Sequence, residues 1–391
     1  MATLGNLEYY RVTHQGIMVN ARLTLACCIV VRNEKDKILK NLERLVPIAD
    51  QVIVVDTGST DNTPAFIRGW ASHFMPNKVK IFEEAKRFHD QDDDFHFGNA
   101  KSFALSCATT DFVMWLDAND VISDPVAMRK HFDAVTQHNR EVYFVMPTQL
   151  SEKFAFMRAR CAPRDACNVV GRVHEYLNMW RDLERTFIPI PIVNSKTGGR
   201  DLARNLRLLK KDWLERENGR TTFYIAQTLR EMGDDAESIR WFRKRIYQFE
   251  FKDEYKEEHF KSIESICEIL ITFMYPGWTH EDIRDLANEM IRLEPNRMEG
   301  YYYLGHYHMK QLEYESALKC FRMYPQCRIP EKYNLWLNRG IYGGKAVLTE
   351  IEFCKVAIKN KTPLVPDEIV DFGGGGSNST YSRSSAQYTV Q

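Results

Sequence analysis

A small group of acidic and amide side chains ends a strongly apolar segment of this chain. Asp117, Asn119 and Asp120 follow directly on the run 112–116 (FVMWL), whose aromatic and β-branched content predicts a buried strand. At the end of a central strand, such oxygen ligands lie where open α/β sheets bind their ligands, and they suit Mg²⁺ or Mn²⁺ completed by substrate phosphates. Asp and Asn are also common turn residues, so an ordinary strand-to-loop turn is the alternative.

The elements that must position this group alternate between strand and helix. Between about residues 23 and 193, strands are predicted at 23–31, 51–56, 79–82 and 112–116, and helices at 34–45, 63–73 and 100–107. This alternation predicts a mostly parallel, doubly wound sheet covered by helices. The first strand lacks a G-x-G-x-x-G turn and the sequence lacks a P-loop motif, which argues against a dinucleotide-binding domain and against phosphate binding by a P-loop.

The second half of the chain, from about 202 to 360, has an almost purely helical pattern. Residues 264–297 and 298–331 form two consecutive units of 34 residues, and a looser copy runs through 224–242. This period is typical of tetratricopeptide repeats, although unrelated amphipathic helices packed as a bundle are the alternative. Such arrays often present a curved surface, so we expect the repeats to bind an acceptor or another subunit.

Composition narrows the class of protein further. Among 391 residues, 53 Lys and Arg balance 53 Asp and Glu, which argues against a dedicated nucleic-acid-binding protein. The nine cysteines, an odd number without metal-site spacing, are typical of reduced core residues in a cytoplasmic protein. No signal peptide or membrane span is predicted. The expected segments are an N-terminal extension (1–22), an α/β domain (23–200), a helical repeat domain (201–362) and a flexible Gly/Ser-rich tail (363–391).

Five segments of the first half together carry a resemblance to a known family. They are 30–34 (VVRNE), 55–63 (VDTGSTDNT), 97–105 (FGNAKSFAL), 115–120 (WLDAND) and 169–177 (VVGRVHEYL). The set resembles the family 2 nucleotide-sugar glycosyltransferases of the GT-A fold, including members with appended tetratricopeptide repeats. The resemblance extends over about 23–360 by pattern, and the combination is more specific than any single motif.

The resemblance implies a donor site at the strand ends. Asp56 would recognise the nucleotide, although both Asp56 and Asp61 could simply cap the next helix. Lys101, where relatives usually carry arginine, would contact the donor diphosphate as a point charge; a solvated helix lysine is the alternative. The acidic run 89–95 is expected to be a solvated loop. The donor-binding residues expected from the resemblance are Arg32, Glu34, Asp56, Lys101, Asp117 and Arg158.

The resemblance also implies a divalent cation, Mn²⁺ or Mg²⁺, bound by Asp117, Asn119 and Asp120. The family has an aspartate where this chain has Asn119, and an amide oxygen brings no negative charge, so weaker metal binding is expected. Relatives also place a metal-binding histidine where a loose alignment puts Asn194. Both departures point to weakened metal binding.

The last of the five segments supplies the expected catalytic residues. Glu175 would take the proton of the acceptor hydroxyl during an inverting, in-line displacement, with His174 binding phosphate or acceptor and Asp165 as the reserve base. We therefore expect a soluble glycosyltransferase that uses a nucleotide-diphosphate sugar, a UDP-sugar first among them. The acceptor, whether glycan, protein, lipid-linked or modified nucleic acid, stays open. The alternative is a transferase fold that has lost turnover and acts as an interaction module through its repeats.

Overall fold

The computed structural model describes residues 10–12, 18–20, 22–151, 154–194, 201–249, 256–330, 335, 337 and 339–360. The expected tail (363–391) and most of the expected N-terminal extension (1–22) lie outside these residues. The chain divides into two compact units. The first extends to Ile266 and also includes Pro330–Leu337, and the second comprises Cys267–Ile329 and the chain from Asn338 onward.

A nine-stranded sheet forms the centre of the first unit. Its strands are β3 (Leu25–Val31), β4 (Gln51–Asp56), β5 (Val79–Glu83), β6 (Phe112–Asp117), β7 (Asp120–Ile122), β8 (Val142–Ser151), β9 (Phe154–Pro163), β12 (Glu184–Phe187) and β13 (Ile192–Asn194). Two antiparallel pairs stand apart from it, β1 (Tyr10–Val12) with β2 (Met18–Asn20) and β10 (Cys167–Val170) with β11 (Tyr176–Met179).

The sheet is mixed but mostly parallel. Its order is β5-β4-β3-β6-β9-β8-β13-β7, with β12 paired to β8. The first four strands are mutually parallel, and β9 is antiparallel to both β6 and β8. Because β4, β3 and β6 are parallel neighbours, their carboxyl ends meet at one edge: Asp56 is in register with Val31, and Asp117 with Val30. Two strand spacings therefore separate the backbones of the two aspartates, about 10 Å.

Side chains from both faces of the sheet are buried. Along β3, Leu25, Cys27, Ile29 and Val31 join one apolar core, and the alternating Ala26 and Cys28 join another. Helices α1 (Ile38–Leu45), α2 (Thr63–Phe74) and α4 (Pro125–Thr136) pack on the first face, and α3 (Phe97–Ser106) on the second. This two-sided burial is the arrangement that continuous apolar strands dictate.

Helices predominate in the described chain from residue 202 onward. The first unit contains α5 (Leu202–Glu215), α6 (Gly219–Glu231), α7 (Asp235–Gln248) and the start of α8 (Lys256–Thr272). The second contains α9 (His280–Leu293), α10 (Met298–Lys310), α11 (Tyr314–Phe321) and α12 (Lys345–Asn360). Helices that follow one another along the chain pack together, for example α6 with α7 and α10 with α11, as helical repeats require.

The predicted fold class is confirmed, a mostly parallel α/β domain followed by tetratricopeptide-like helical repeats. Every strand and helix predicted between 23 and 116 is present, with shifts of a few residues at their ends. The domain boundary expected near residue 200 stays a prediction; the compact units divide instead between Ile266 and Cys267, inside α8. Among the described helices, none combines the length and the apolarity that a membrane span requires.

Candidate functional site

Asp117 and Lys101 form the centre of the candidate site. Asp117 ends β6, and Lys101 lies on α3, whose start is capped by the His96 side chain accepting from the Asn99 amide. The Lys101 Nζ donates to Asp117 Oδ1 at 2.7 Å. Lys101 is buried, so its charge is shielded from water and acts strongly on its neighbours. It is therefore not a solvated helix lysine.

Three cationic side chains surround the ring of the buried Trp115. Lys101 Nζ lies 4.3 Å from the ring centroid, and the guanidinium carbons of Arg160 and Arg158 lie at 4.4 and 4.7 Å. Arg158 and Arg160 both lie on β9, and both guanidinium groups reach the Trp115 ring. Cations over an indole face are attracted by its π electrons, which helps to hold this positive group beside Asp117.

These cations set the charge state of Asp117. Burial alone would raise the pKa of its carboxyl, but the positive charges of Lys101, Arg160 and Arg158 outweigh it and hold the pKa well below its usual range. Its side chain is 25% exposed, and Oδ2 lies 3.9 Å from Arg158, beyond hydrogen-bond length. Asp117 is thus an ionised carboxylate whose Oδ2 makes no close hydrogen bond with the described residues.

Glu175 joins this group from the loop between β10 and β11. Its two carboxylate oxygens lie 3.6 Å from Lys101 Nζ and 4.0 Å from Arg158 Nη2, and its side chain is 12% exposed. The structure therefore brings four of the predicted site residues, Lys101, Asp117, Arg158 and Glu175, into one cluster.

The Asp120 side chain is fully buried and binds other buried side chains of the sheet. Its Oδ2 accepts the Asp117 amide at 2.9 Å and lies 3.0 Å from Arg160 Nη1, while Oδ1 accepts from Asn194 Nδ2 at 2.6 Å. The side chains of Asp120 and Arg160 are both 0% exposed. Both oxygens of the predicted metal ligand Asp120 are consequently engaged in structural contacts.

Asn119 and Asn194 meet as an amide pair. The Asn119 Nδ2 donates to Asn194 Oδ1 at 3.3 Å, and the Asn194 Nδ2 approaches Asn119 Oδ1 at 3.4 Å. Asn194 reaches this position from β13, which pairs with β7 in the register Asn194 to Asp120. The two amides that stand at expected metal-binding positions are thus adjacent in space and bonded to each other.

Asp56 is the buried last residue of β4, and its side chain binds the turn that follows. Its Oδ2 accepts the amides of Gly58 and Ser59 at 3.1 and 3.0 Å, and Oδ1 accepts the Ser59 hydroxyl. Asp61 accepts the Thr63 amide and hydroxyl at 3.0 and 2.5 Å, and the hydroxyl bond is the main reason that the pKa of Asp61 is lowered. Both aspartates organise this turn, and Asp56 also stands at the sheet edge shared with Asp117.

The remaining predicted residues lie around this edge or away from it. Glu34 is half-buried in the loop after β3, and burial raises its pKa. Arg32 in the same loop is exposed. Asp165, the reserve base, is 66% exposed in a 3₁₀ turn and pairs with Arg181 at 3.2 Å, so the structure does not place it in the cluster.

The acidic loop before α3 forms ion pairs with basic side chains of α5. Asp90, Asp92 and Asp94 bring carboxylate oxygens within 4.8 Å of one another, an arrangement that could hold a metal ion. Lys211 Nζ lies among them at 3.0, 2.6 and 2.6 Å, and Arg207 also binds Asp94. An ammonium group therefore already lies among these carboxylates and offsets part of their negative charge.

Sequence reasoning missed Arg160, which pairs with Asp120, and Arg172, which follows Gly171 before the His-Glu pair. Arg172 donates to Asp212 and Glu215 of α5, each at 2.7 Å, and the Glu215 bond is the main reason that the pKa of Arg172 is raised. The spacing of Arg158 and Arg160, two residues apart, was the only available signal for Arg160. Arg172 gave none, since its partners are about 40 residues away.

Comparison with known protein families gives a match for the segment that contains this site. Residues 26–216 match the model of a family described as glycosyl transferase family 2. A TPR repeat-containing protein of Synechococcus elongatus is 32% identical over 101 residues, which are 26% of this chain and 21% of that protein. This chain thus aligns with about a fifth of that relative's length.

Solved structures similar to this chain include glycosyltransferases. Residues 1–349 of TarS from S. aureus superpose with a TM-score of 0.35 at 11% identity, covering 78% of this chain and 92% of that one. A mannosyltransferase from Pyrobaculum calidifontis, solved with GDP-Man and Mn²⁺, gives 0.36 at 14% identity, covering 78% and 87%. On the family match, which spans the sheet, the Lys101–Asp117 pair and Glu175, this chain carries a glycosyl transferase family 2 domain over residues 26–216.

Proposed function

We propose that this protein is an inverting glycosyltransferase that moves a sugar from a nucleotide-diphosphate donor, a UDP-sugar, to an acceptor hydroxyl. The observation that carries the proposal is the single cluster of Lys101, Asp117, Arg158 and Glu175 at the carboxyl ends of parallel strands within a family 2 domain. Cations for a diphosphate and a carboxylate for a hydroxyl proton are the two chemical requirements of this reaction.

Lys101 and Arg158 would stabilise the leaving diphosphate. Arg158 faces Asp117 and Glu175 only at 3.9 and 4.0 Å, so its donors can turn to phosphate oxygens without breaking a close hydrogen bond. Arginine binds phosphate through two parallel N–H donors, whereas lysine acts as a point charge. Asp117 would keep the lysine oriented through its 2.7 Å bond.

Glu175 would act as the general base. The acceptor oxygen attacks the anomeric carbon, its proton passes to the Glu175 carboxylate, and the bond from that carbon to the diphosphate oxygen breaks with its electron pair leaving on the diphosphate. Attack opposite the leaving group inverts the anomeric centre. The nucleotide would occupy the edge formed by Asp56, Glu34 and Arg32, where the loops after β3 and β4 are joined by the Asn33 side chain accepting from the Thr60 amide at 2.7 Å.

A divalent cation, Mn²⁺ or Mg²⁺, is part of the proposal at Asp117. The Oδ2 of this ionised carboxylate, 3.9 Å from Arg158, suits a hard cation. Asn119 and Asp120 could join it only by giving up the contacts with Asn194 and Arg160. When bound, the cation would neutralise part of the diphosphate charge. The donor set therefore supports weak binding, and the side-chain cations would share the same task.

Measuring donor turnover tests this function. Purified protein would be incubated with UDP-, GDP- and dTDP-sugars, with Mn²⁺ or with EDTA, and released nucleoside diphosphate and donor affinity would be measured separately. We expect release from at least one donor, fastest with Mn²⁺. Donor binding without release from any member of the panel, in the presence of a broad set of hydroxyl acceptors, would contradict the proposal.

A silent transferase fold is the second candidate, because the contacts of Asn119 and Asp120 leave Asp117 as the main open ligand. In that case the helical repeats would carry the function by binding a partner protein. The same experiment separates the two, since only the enzyme releases nucleoside diphosphate. For the enzyme, we propose that the repeats bind the acceptor or a further subunit.

A further inference from the structure

The loop that carries Glu175 has a strained backbone. Gly171 and His174 both have positive φ angles, 96° and 52°. Glycine accepts this conformation freely, but a residue with a Cβ does so at a cost of about 1–2 kcal/mol, because the Cβ crowds the following carbonyl oxygen. Strained residues persist only where surrounding contacts hold them, and they cluster at functional sites. Contacts around His174 therefore need to account for its conformation.

Helix α6 supplies those contacts. The His174 imidazole stacks flat on the ring of Tyr224, with centroids 4.1 Å apart and an interplanar angle of 12°. Arg220, one turn earlier on the helix, donates from Nη2 to the His174 carbonyl at 3.4 Å. Both the side chain and the backbone of the strained residue are thus bound to the same helix face.

Arg220 also contacts Tyr176, the residue that follows Glu175. Its guanidinium lies 4.7 Å from the ring centroid of Tyr176 and 4.8 Å from that of Tyr224. Its Nη1 donates to Glu258 of α8 at 2.6 Å, which fixes the guanidinium between the two rings. The residues on both sides of Glu175 are therefore fastened to α6, while the Glu175 side chain points to Lys101 and Arg158.

We propose that Tyr224 and Arg220, which lie beyond the family 2 match at residues 26–216, are positioning residues for Glu175. The first helices after the α/β domain would then be part of the active site's framework. This inference rests on the proposed role of Glu175 in catalysis. Their removal would let the loop relax toward ordinary backbone angles and move the Glu175 carboxylate away from the cluster.

The test compares Tyr224→Leu with Tyr224→Phe and with Tyr247→Leu. Tyr247 is a 69% exposed tyrosine on the neighbouring helix α7, which makes it a matched control. Tyr224→Leu is expected to lower kcat about 10²-fold with little change in donor KM, as a displacement near 1 Å would do, while Tyr224→Phe keeps the stack and restores the rate. Arg220→Met should act in the same direction.

Hydrogen exchange of the 171–178 peptide gives a readout that does not depend on turnover. We expect exchange about tenfold faster in Tyr224→Leu than in wild type, Tyr224→Phe or Tyr247→Leu, with the sheet peptides unchanged. Unchanged exchange in Tyr224→Leu would overturn the positioning role. If exchange rises but wild type releases no nucleoside diphosphate from any donor, the positioning role stands and the proposed function fails.

Discussion

The buried Asp120–Arg160 pair provides the sharpest test of how the site is built. Replacing Arg160 with Met removes the 3.0 Å partner of a carboxylate that is 0% exposed, and it also removes one of the three cations around Trp115. Breaking a fully buried ion pair on one side leaves an uncompensated charge and costs about 3–5 kcal/mol. Each kcal/mol shifts the Tm of a domain of this size by about 2–4 °C, so the expected loss is about 6–20 °C.

Asp120→Asn/Arg160→Met restores a neutral interior and should recover part of this loss, because the penalty comes from the unpaired charge. Calorimetry or near-UV circular dichroism would measure the Tm values, with Arg181→Met as a control. Arg181 pairs with the exposed Asp165 at 3.2 Å, and such surface pairs contribute about 0–1 kcal/mol. A Tm loss in Arg160→Met no larger than in Arg181→Met, or additive effects in the double variant, would refute the structural role of Asp120.

Three further predictions concern the metal site, the contact between α3 and Gly171, and the second unit. Asn119→Asp should bind Mn²⁺ about tenfold more tightly by adding a charged ligand, seen as a lower Mn²⁺ concentration for half-maximal turnover or thermal shift; an unchanged metal response would show that Asn119 is not a ligand. Gly98→Ala should destabilise the protein by about 1–3 kcal/mol in urea unfolding, since its Cβ would lie 2.6 Å from the Gly171 carbonyl oxygen, whereas the open Gly69 should tolerate alanine without loss. In the second unit, burial raises the pKa of the Glu350 carboxyl from 4.5 to about 7, so ionising this group lowers the free energy of unfolding. The protein has its full stability below pH 4.5, where the carboxyl is protonated in both states, and loses part of it as pH rises through 7. Wild type should therefore lose about 3 kcal/mol relative to Glu350→Gln between pH 4.5 and 8, and parallel pH profiles of the two proteins would contradict this.

The sequence predicted the elements of the sheet well because their signals are local. Apolar runs such as 51–56 and 112–116 lie in strands with the expected bounds, and the parallel order puts Asp56 and Asp117 at the same edge. Lys101 and Glu175, named from the family resemblance, meet in the same cluster. The roles assigned to these side chains stay predictions, to be tested by the variants proposed above.

What the sequence could not provide was the direction of individual side chains. Asp120 looked like a ligand beside Asp117, yet it turns inward to Arg160, 40 positions later, because β9 runs antiparallel to β6. Likewise, nothing local to Tyr224 indicates that its ring meets His174, 50 residues earlier. Such pairings depend on strand register and helix docking, which are set by packing over the whole unit.

The role of Glu175 is the central claim, and one measurement tests it most directly. Nucleoside diphosphate release from the best donor would be compared between wild type and Glu175→Gln, with donor affinity measured in parallel and Asp165→Asn as the control carboxylate. Loss of a general base lowers the rate by about 10²–10⁴-fold, and we expect this loss in Glu175→Gln with donor affinity largely kept. Full turnover in Glu175→Gln, or an equal loss in Asp165→Asn, would contradict the account.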